Sequence, residues 1–375
     1  MNDKVLISIK KGCKYLLKNT KKNGTKFIYL RDVDGRIING KYNMLRHCGC
    51  LWALSKTYNS VLFESCNDET MKTLNGLFEY PKKHTNSSIH NDQNNEDNGD
   101  KNNQVALLKD KQWYKLGGNA LYALSLHEYK TLTSKLLKTS SNSRSNDKSI
   151  KKDDTSKTQT QLCRHIHNGM KQFINKNGSI KHYKINANTN AASDFVSEYY
   201  PGEAILSLCI LKDYETAFKI TNQLKKTRDA GVNEEEQIHD HWLLQGIEML
   251  YFHYKNNENE NDGNEGNKKN KKIQMLTEYG NRIGQAIIKH EDKYKNRSCR
   301  IACRLEGLIP LYRMTKNKEY LDAINKLVKE LLKSQCIDAT HKACGAFKDD
   351  GGYQIDYTQH SVSALCEYYK LMNEV

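Results

Sequence analysis

The sequence lacks the short motifs that mark several large classes of enzyme. It has no Walker phosphate-binding loop, no GxSxG nucleophile elbow, no HExxH helix and no GxGxxG dinucleotide fingerprint. Its 11 cysteines include no CxxC pair and no cluster with metal-ligand spacing. These absences argue against nucleotide-dependent, serine-hydrolase and zinc-protease chemistry, and we expect neither a metal nor another cofactor.

Long apolar runs are also absent. Only 37% of the residues are apolar, and no stretch approaches the length of about 20 residues that a membrane-spanning helix needs. The amino terminus, MNDKVLISIKK, has no long apolar segment of the kind found in secretory signals. Most cysteines lie among small apolar residues of predicted helices, where a buried thiol is common. The sequence therefore predicts a reduced intracellular protein, in the cytoplasm or in an organellar lumen.

The net charge of +15 raises the question of a nucleic-acid partner. The lysines are scattered, however, and the sequence has neither zinc-finger spacing nor an RRM-like aromatic run. We therefore do not expect nucleic acid to be the partner. A continuous stripe of lysine and arginine on one outer face would indicate the opposite.

Three polar segments account for part of the low apolar content. Residues 84–103, 139–161 and 255–272 are dominated by asparagine, serine, threonine, lysine, aspartate and glutamate. Such compositions bury too little apolar surface to offset the entropy lost on ordering. We predict that these segments are disordered surface insertions in the loops of one folded domain that spans residues 1–375.

One pattern occurs about six times along the chain: a polar or ionisable start, then small and apolar residues, then a tyrosine or leucine. Apolar residues occupy all sides of each copy at helical spacing, which predicts a buried helix. The copies cover residues 42–58, 116–129, 199–211, 239–251, 300–312 and 356–369.

Between successive copies lies a helix with a single apolar stripe, and Asn-Gly turns followed by short extended pieces precede two of the buried helices. A single helix pair cannot bury its own apolar face and must stack on its neighbours. The alternation predicts an all-α ring of six inner and six outer helices with short β-hairpins in the connecting loops.

The leading ends of the buried helices carry polar and aromatic side chains that could face a central cavity. Burying a lone charge is costly, so each charged side chain needs a partner of opposite charge or a water-filled cavity. The arginines and carboxylates could simply join neighbouring helices, and Asp240 and Asp356 could cap helices. The aromatic residues could belong to the core or bind the apolar face of a sugar ring. Three histidines at the leading ends, His47, His241 and His360, are harder to explain as core residues.

Two kinds of chemistry fit these side chains. Hydrolysis of a glycosidic bond needs two carboxyl groups, one protonated and one ionised. Epimerisation of a sugar needs two groups that exchange a proton across one carbon, which histidine can do near neutral pH. The residues by themselves leave this choice open.

The alternation of helices and several short phrases together resemble the (α/α)6-toroid superfamily, which includes the six-hairpin glycosidases. The phrases are YNMLRHCGCLWAL, LGGNALYAL, EYYPGEAIL, HDHWLLQGIEMLY, CRLEGL and YQIDYTQHSVSAL. Members include glycoside hydrolases, the N-acylglucosamine 2-epimerase group and glucuronyl C5-epimerases, so the resemblance implies a carbohydrate-active protein. The phrases match no catalytic motif of one family, and the DxDD motif of terpene cyclases and the zinc ligands of lanthionine cyclases are missing.

We therefore expect a carbohydrate-active enzyme of the glycoside hydrolase type, acting on a carbohydrate or another small polar substrate. The alternatives are a sugar epimerase of the same fold and a non-catalytic toroid that binds a glycan or peptide. The candidate catalytic residues are Glu203, Asp240, Asp356, His241 and His360. The candidate substrate-binding residues are Arg46, His47, Tyr200, Trp242, Arg304, Glu306 and Tyr357.

Overall fold

A computed structural model describes residues 1–40, 42–89, 104–142, 154–256, 263–290 and 297–374. The α-helices in these residues alternate between an inner and an outer wall. The inner helices are α2 (Met44–Asn59), α4 (Leu116–Asn142), α6 (Tyr200–Ile210), α8 (His241–Asn256), α10 (Ser298–Thr315) and α12 (Ile355–Glu374). The outer helices are α1 (Asn2–Lys18), α3 (Asp68–Lys83), α5 (Asp154–Met170), α7 (Tyr214–Lys226), α9 (Gly263–Lys289) and α11 (Lys318–Lys333).

The inner helices form a closed ring. Each contacts the next inner helix along the chain, and α12 contacts α2. The outer helices α3, α5, α7, α9 and α11 each pack on the inner helix that precedes them, whereas α1 packs on α12. This arrangement confirms the predicted (α/α)6 toroid. That residues 1–375 form one domain stays a prediction.

Burial explains why the two walls differ in sequence. Helix α6 buries every residue from Pro201 to Cys209, as expected for a helix that is enclosed on all sides. Helix α11 buries a single stripe at helical spacing and exposes its charged face. That stripe consists of Tyr320, Ala323, Ile324, Leu327, Val328 and Leu331.

Short strands lie in the loops that lead into the inner helices. Two small antiparallel sheets form, with the strand orders β2-β1-β7 and β3-β4-β5-β6. Because β5 continues directly into α4 and β7 into α12, the sheets lie at the end of the ring where inner helices begin. The strands are β1 (Leu30–Arg31), β2 (Ile37–Ile38), β3 (Thr85–Ile89), β4 (Gln104–Asp110), β5 (Trp113–Lys115), β6 (Lys184–Asn186) and β7 (Tyr353–Gln354).

The three expected insertions are narrower than the sequence analysis predicts, because their ends have regular structure. Residues 85–89 form β3, and residues 139–142 and 154–161 extend α4 and α5. Residues 255–256 end α8, and 263–272 begin α9. These polar residues extend helices whose buried apolar residues lie elsewhere in the same helix. The remainder of each segment lies outside the described residues.

Within the described part of the chain, no helix is long and apolar enough to cross a membrane. All 11 cysteines are free thiols.

Candidate functional site

A cavity of about 560 Å³ opens at the end of the ring where the inner helices begin. All six inner helices contribute to its wall, because each presents its first turns to the same mouth. The wall residues from these helices include Arg46, Leu121, Tyr200, Glu203, His241, Trp242, Cys299, Cys303, Arg304, Asp356, Gln359 and His360.

Two histidines from facing inner helices meet in this cavity. The ring centroids of His241, at the start of α8, and His360, in α12, lie 5.1 Å apart. The Glu306 carboxylate of α10 lies beneath both: its Oε2 accepts a hydrogen bond from His360 Nδ1 at 2.7 Å and lies 3.6 Å from His241 Nε2. Trp242 packs against both imidazoles, with centroid distances of 5.0 and 5.8 Å. One carboxylate therefore connects two imidazoles.

The two histidines differ in protonation because the carboxylate favours one of them. Burial lowers the pKa of His241 to about 3, although Glu306 acts in the opposite direction. Burial also lowers the pKa of His360, but the charge and hydrogen bond of Glu306 outweigh it and raise the pKa to about 9. At neutral pH, His241 is consequently a neutral base and His360 a cationic acid.

Glu203 from α6 adds a carboxyl group with an unusual environment. Burial, and then the nearby Asp240, raise the pKa of Glu203 well above its usual range. Its Oε2 is buried and has no hydrogen-bond partner in the structure. The carboxyl fits against Gly117, where a Cβ atom would lie 1.9 Å from that oxygen. The Gly117 position therefore makes room for Glu203 in the wall.

Arg46 and Asp356 form an ion pair at the mouth. The Arg46 Nε atom lies 3.1 Å from Asp356 Oδ2, and Arg46 also donates a hydrogen bond to the hydroxyl of Tyr29. Gln354 donates to the other oxygen of Asp356 at 2.5 Å. Asp356 is thus held as an acceptor by partners on two sides, while Arg46 keeps more than a third of its side chain exposed.

Asp240 is buried and is not a wall residue of the cavity. Its Oδ1 accepts a hydrogen bond from the Leu243 amide and so caps α8, while its Oδ2 accepts one from Arg228 at 2.8 Å. Burial raises the pKa of Asp240 despite that arginine. Its position fits the capping role that the sequence analysis left open, and it fixes the start of α8 and hence His241.

Three further candidate residues do not line the cavity: His47, Tyr357 and Glu306, of which Glu306 lies beneath the two histidines. His47 is completely buried between α2 and α3, where its ring hydrogen-bonds with the Tyr42 hydroxyl at 2.6 Å and the Leu77 carbonyl at 3.0 Å. It follows Arg46 by one residue, so the helix turns it by about 100° from the cavity. Tyr357 begins α12 beside Asp356 but does not line the cavity. Arg304 does line it, and its Nη2 donates to the His290 carbonyl at 2.6 Å.

One group of side chains in the described residues could hold a metal ion. The potential ligand atoms of His241, Cys303, Glu306 and His360 all lie within 4.8 Å of one another. Imidazole, thiolate and carboxylate together would suit zinc. In this structure, however, His360 Nδ1 and Glu306 Oε2 are hydrogen-bonded to each other.

Several contributors to the site were not candidates in the sequence analysis. Arg228 lies in the loop after α7, and Tyr29 precedes β1, so neither belongs to a repeated segment. Cys299 and Cys303 line the cavity from α10. Their spacing gives a signal that could have found them, because residues 299, 303 and 306 are related as i, i+4 and i+7 and share one helix face.

No family model and no curated protein sequence matches the chain. Solved structures do match over almost its whole length. The cellobiose 2-epimerase from Bacillus thermoamylovorans B4167 is 12% identical, with a TM-score of 0.63 over 99% of this chain and 100% of the other. A D-mannose isomerase is 9% identical, with a TM-score of 0.62 over 99% and 97%.

A family 76 glycoside hydrolase from a bovine Bacteroides thetaiotaomicron strain is 11% identical, with a TM-score of 0.58 over 98% of this chain and 78% of the other. At such low identities the likeness concerns the fold and not the reaction. Together with the closed ring of inner helices, these matches show that the chain has the (α/α)6-toroid fold of the six-hairpin glycosidase-like proteins.

Proposed function

We propose that this protein is a sugar epimerase that moves a proton at the carbon next to a sugar carbonyl. The observation that carries the proposal is the pair formed by His241 and His360 in one cavity, with the Glu306 carboxylate between them. A neutral imidazole and a cationic one are the base and the acid that such a reaction needs. This arrangement favours epimerisation over the hydrolysis that the sequence analysis placed first.

The chemistry follows from the acidity of the hydrogen on C2 of an open-chain aldose. His241 removes that proton, the C2–H electron pair forms a C1–C2 double bond, and the carbonyl π electrons move to the oxygen. Arginines in the wall, Arg46 and Arg304, are suited to stabilise the resulting oxyanion. Proton return to C2 from His360 on the opposite face gives the epimer, and exchange with water restores both histidines.

The comparisons support the same class of reaction. Among the similar structures are proteins named as a cellobiose 2-epimerase and a D-mannose isomerase. Trp242 and Tyr200 supply aromatic surface in the cavity wall for the apolar face of a sugar ring. The cavity volume of about 560 Å³ is in the range of small-molecule sites.

Glycoside hydrolysis is the second candidate, and one observation favours it. Glu203 is buried in the cavity wall and its pKa is raised, as a general acid for glycosidic bond cleavage requires. Its possible counterpart Asp356 is held by Arg46 and Gln354, and Asp240 lies outside the wall. The carboxyl pair is therefore less complete than the histidine pair.

Incubation with reducing sugars in D2O separates these candidates. We expect loss of the C2 proton signal of an aldose and appearance of its 2-epimer, both measured by proton NMR. The panel contains glucose, mannose, N-acetylglucosamine and cellobiose, with aryl glycosides as hydrolase substrates. Release of the aryl group without deuterium exchange, abolished by Glu203→Gln, would establish the hydrolase instead. A ketose product would identify an isomerase.

The pH dependence tests the role of Glu306. Because this carboxylate raises the pKa of His360, we expect wild-type kcat to stay high until the pH rises through about 9, where the acid loses its proton. Glu306→Gln removes the charge that raises this pKa most and leaves the opposing effect of burial, so the alkaline fall should move to lower pH. The measurement is kcat against pH for both proteins. An unchanged alkaline limb would contradict the assigned acid.

A further inference from the structure

We propose that Cys299 and Cys303 form a reversible disulfide in the wall of the cavity when the protein meets hydrogen peroxide. Both cysteines are free thiols on α10, both line the cavity, and neither is fully buried. Cys299 is required neither for metal binding by Cys303 and the histidines nor for the proton transfer described above. The pair is therefore a modification site in addition to the catalytic one.

The two cysteines are neighbours on the first turns of α10. They are four residues apart on one helix face, and their side chains are hydrogen-bonded. Cys299 lies one turn nearer the mouth than Cys303 and is therefore the sulfur that a small oxidant entering the cavity reaches first.

The reaction is balanced with one molecule of peroxide. The Cys299 sulfur attacks one peroxide oxygen, the O–O bond breaks, and a sulfenic acid and water form. The Cys303 sulfur then attacks the sulfur of Cys299, the S–O bond breaks, and the thiol proton leaves with the hydroxyl group as a second water. Two thiols lose two electrons, and the peroxide is reduced to two waters.

Helix geometry makes this disulfide easy to reduce. Side chains four residues apart on a helix have Cβ atoms about 5–6 Å apart, whereas a disulfide brings them to about 3.8 Å. Closing that gap strains the first turns of α10, and strained disulfides are the reducible ones. A cellular thiol would thus reopen the bond.

The bond would also change the site. The Cys303 sulfur lies within 4.8 Å of the ligand atoms of His241, Glu306 and His360. Drawing it toward Cys299 alters the packing beside the Glu306–His360 pair, and small displacements of catalytic groups can cost about 10²-fold in rate. This consequence, unlike the bond itself, rests on the proposed epimerase function.

Trypsin offers a direct test because it cuts after Arg297, Arg300 and Arg304. Cys299 then lies in the peptide 298–300 and Cys303 in the peptide 301–304. We expect peroxide, followed by alkylation of remaining thiols, to yield the two peptides joined with the loss of two hydrogens in mass spectrometry. Dithiothreitol should separate them. Cys299→Ser and Cys303→Ser should abolish the joined species, whereas Cys344→Ser should leave it intact.

The second measurement is the kcat/KM of each protein after oxidation, divided by the kcat/KM of the same protein in its reduced state. We expect this ratio to fall at least about tenfold in the wild type and in Cys344→Ser, and to stay near one in Cys299→Ser. Peptides that remain separate under peroxide would overturn the disulfide, and a joined pair with an unchanged ratio would overturn its effect on the site. If no sugar is turned over, the peptide result alone decides whether the disulfide forms. Failure of the proposed function can therefore be told apart from failure of the disulfide proposal.

Discussion

His241→Asn and His360→Asn are each expected to lower kcat for C2 proton exchange about 10²–10⁴-fold, the contribution typical of one positioned acid or base. Asparagine keeps hydrogen-bonding capacity but cannot carry the proton, so sugar binding and KM should change much less. The loss should hold in both directions of the epimerisation, because the base of one direction is the acid of the other. Deuterium exchange at C2 and the rate of epimer formation measure the effect.

A histidine at the other end of the same helix provides the matched control. His253 lies near the end of α8, where its ring stacks on Tyr214 with a centroid distance of 3.8 Å. His253→Gln is expected to exchange the C2 proton as the wild type does. If both cavity variants keep wild-type exchange while folding normally, the histidine pair does not carry the reaction.

The alternation of buried and one-sided helices was sufficient to predict the ring. It depends on average polarity over many residues, so errors in single positions have little effect. The same alternation placed His241, His360 and Glu203 near the mouth, because each lies in the first turns of an inner helix.

The orientation of individual side chains was harder to predict. Helical spacing shows which residues share a face, but the absolute rotation of the helix depends on its neighbours. His47 and Arg46 illustrate this because they are adjacent in sequence. His47 lies in the core between two helices, whereas Arg46 lies at the mouth. Asp240 similarly lies outside the cavity wall, because the Leu243 amide and Arg228, which is in no repeated segment, bind its two carboxylate oxygens.

The choice between hydrolysis and epimerisation depends on the pKa values of the side chains. Each of these pKa values is set by the groups that surround the side chain in the fold. Glu306 was expected to bind substrate, yet its contact with His360 sets the protonation of that histidine. Such a contact joins residues 54 positions apart. Neither charge composition nor periodicity contains that information, so the sequence left both reactions open.

A second network of charges lies further from the mouth, beside a cavity of about 210 Å³ that later turns of the inner helices line. Glu367 of α12 is its centre. Its carboxylate lies 2.9 Å from Lys56 Nζ, 2.7 Å from Arg313 Nη1 and 3.1 Å from Lys370 Nζ. Lys56, Arg313 and Glu367 each expose 15% of their side chains or less, so water screens these charges little.

Replacing Glu367 with glutamine is expected to lower the free energy of unfolding by about 3–5 kcal/mol, because the buried Lys56 loses its carboxylate partner and the buried Arg313 loses the nearest of its carboxylates. Burial acts to raise the pKa of Glu367, but Lys56, Lys370 and Arg313 lower it well below its usual range. A carboxylate whose pKa is lower in the folded protein stabilises it above the unfolded pKa, about 4.3 for glutamate, and loses that contribution as the pH falls. The difference between wild type and variant should therefore be full at pH 7 and shrink below about pH 4.

Urea unfolding at several pH values measures this difference, and Glu330→Gln is the control. Glu330 pairs with Lys333 at 2.7 Å, but the two side chains are 44% and 71% exposed, so its loss should cost at most about 1 kcal/mol. Equal destabilisation by the two substitutions would contradict the argument, as would a Glu367→Gln effect that persists unchanged into acid. A buried network of this strength at the base of the ring would hold α2, α10 and α12 together, and these helices carry Arg46 and His360 at the mouth and Glu306 beneath it.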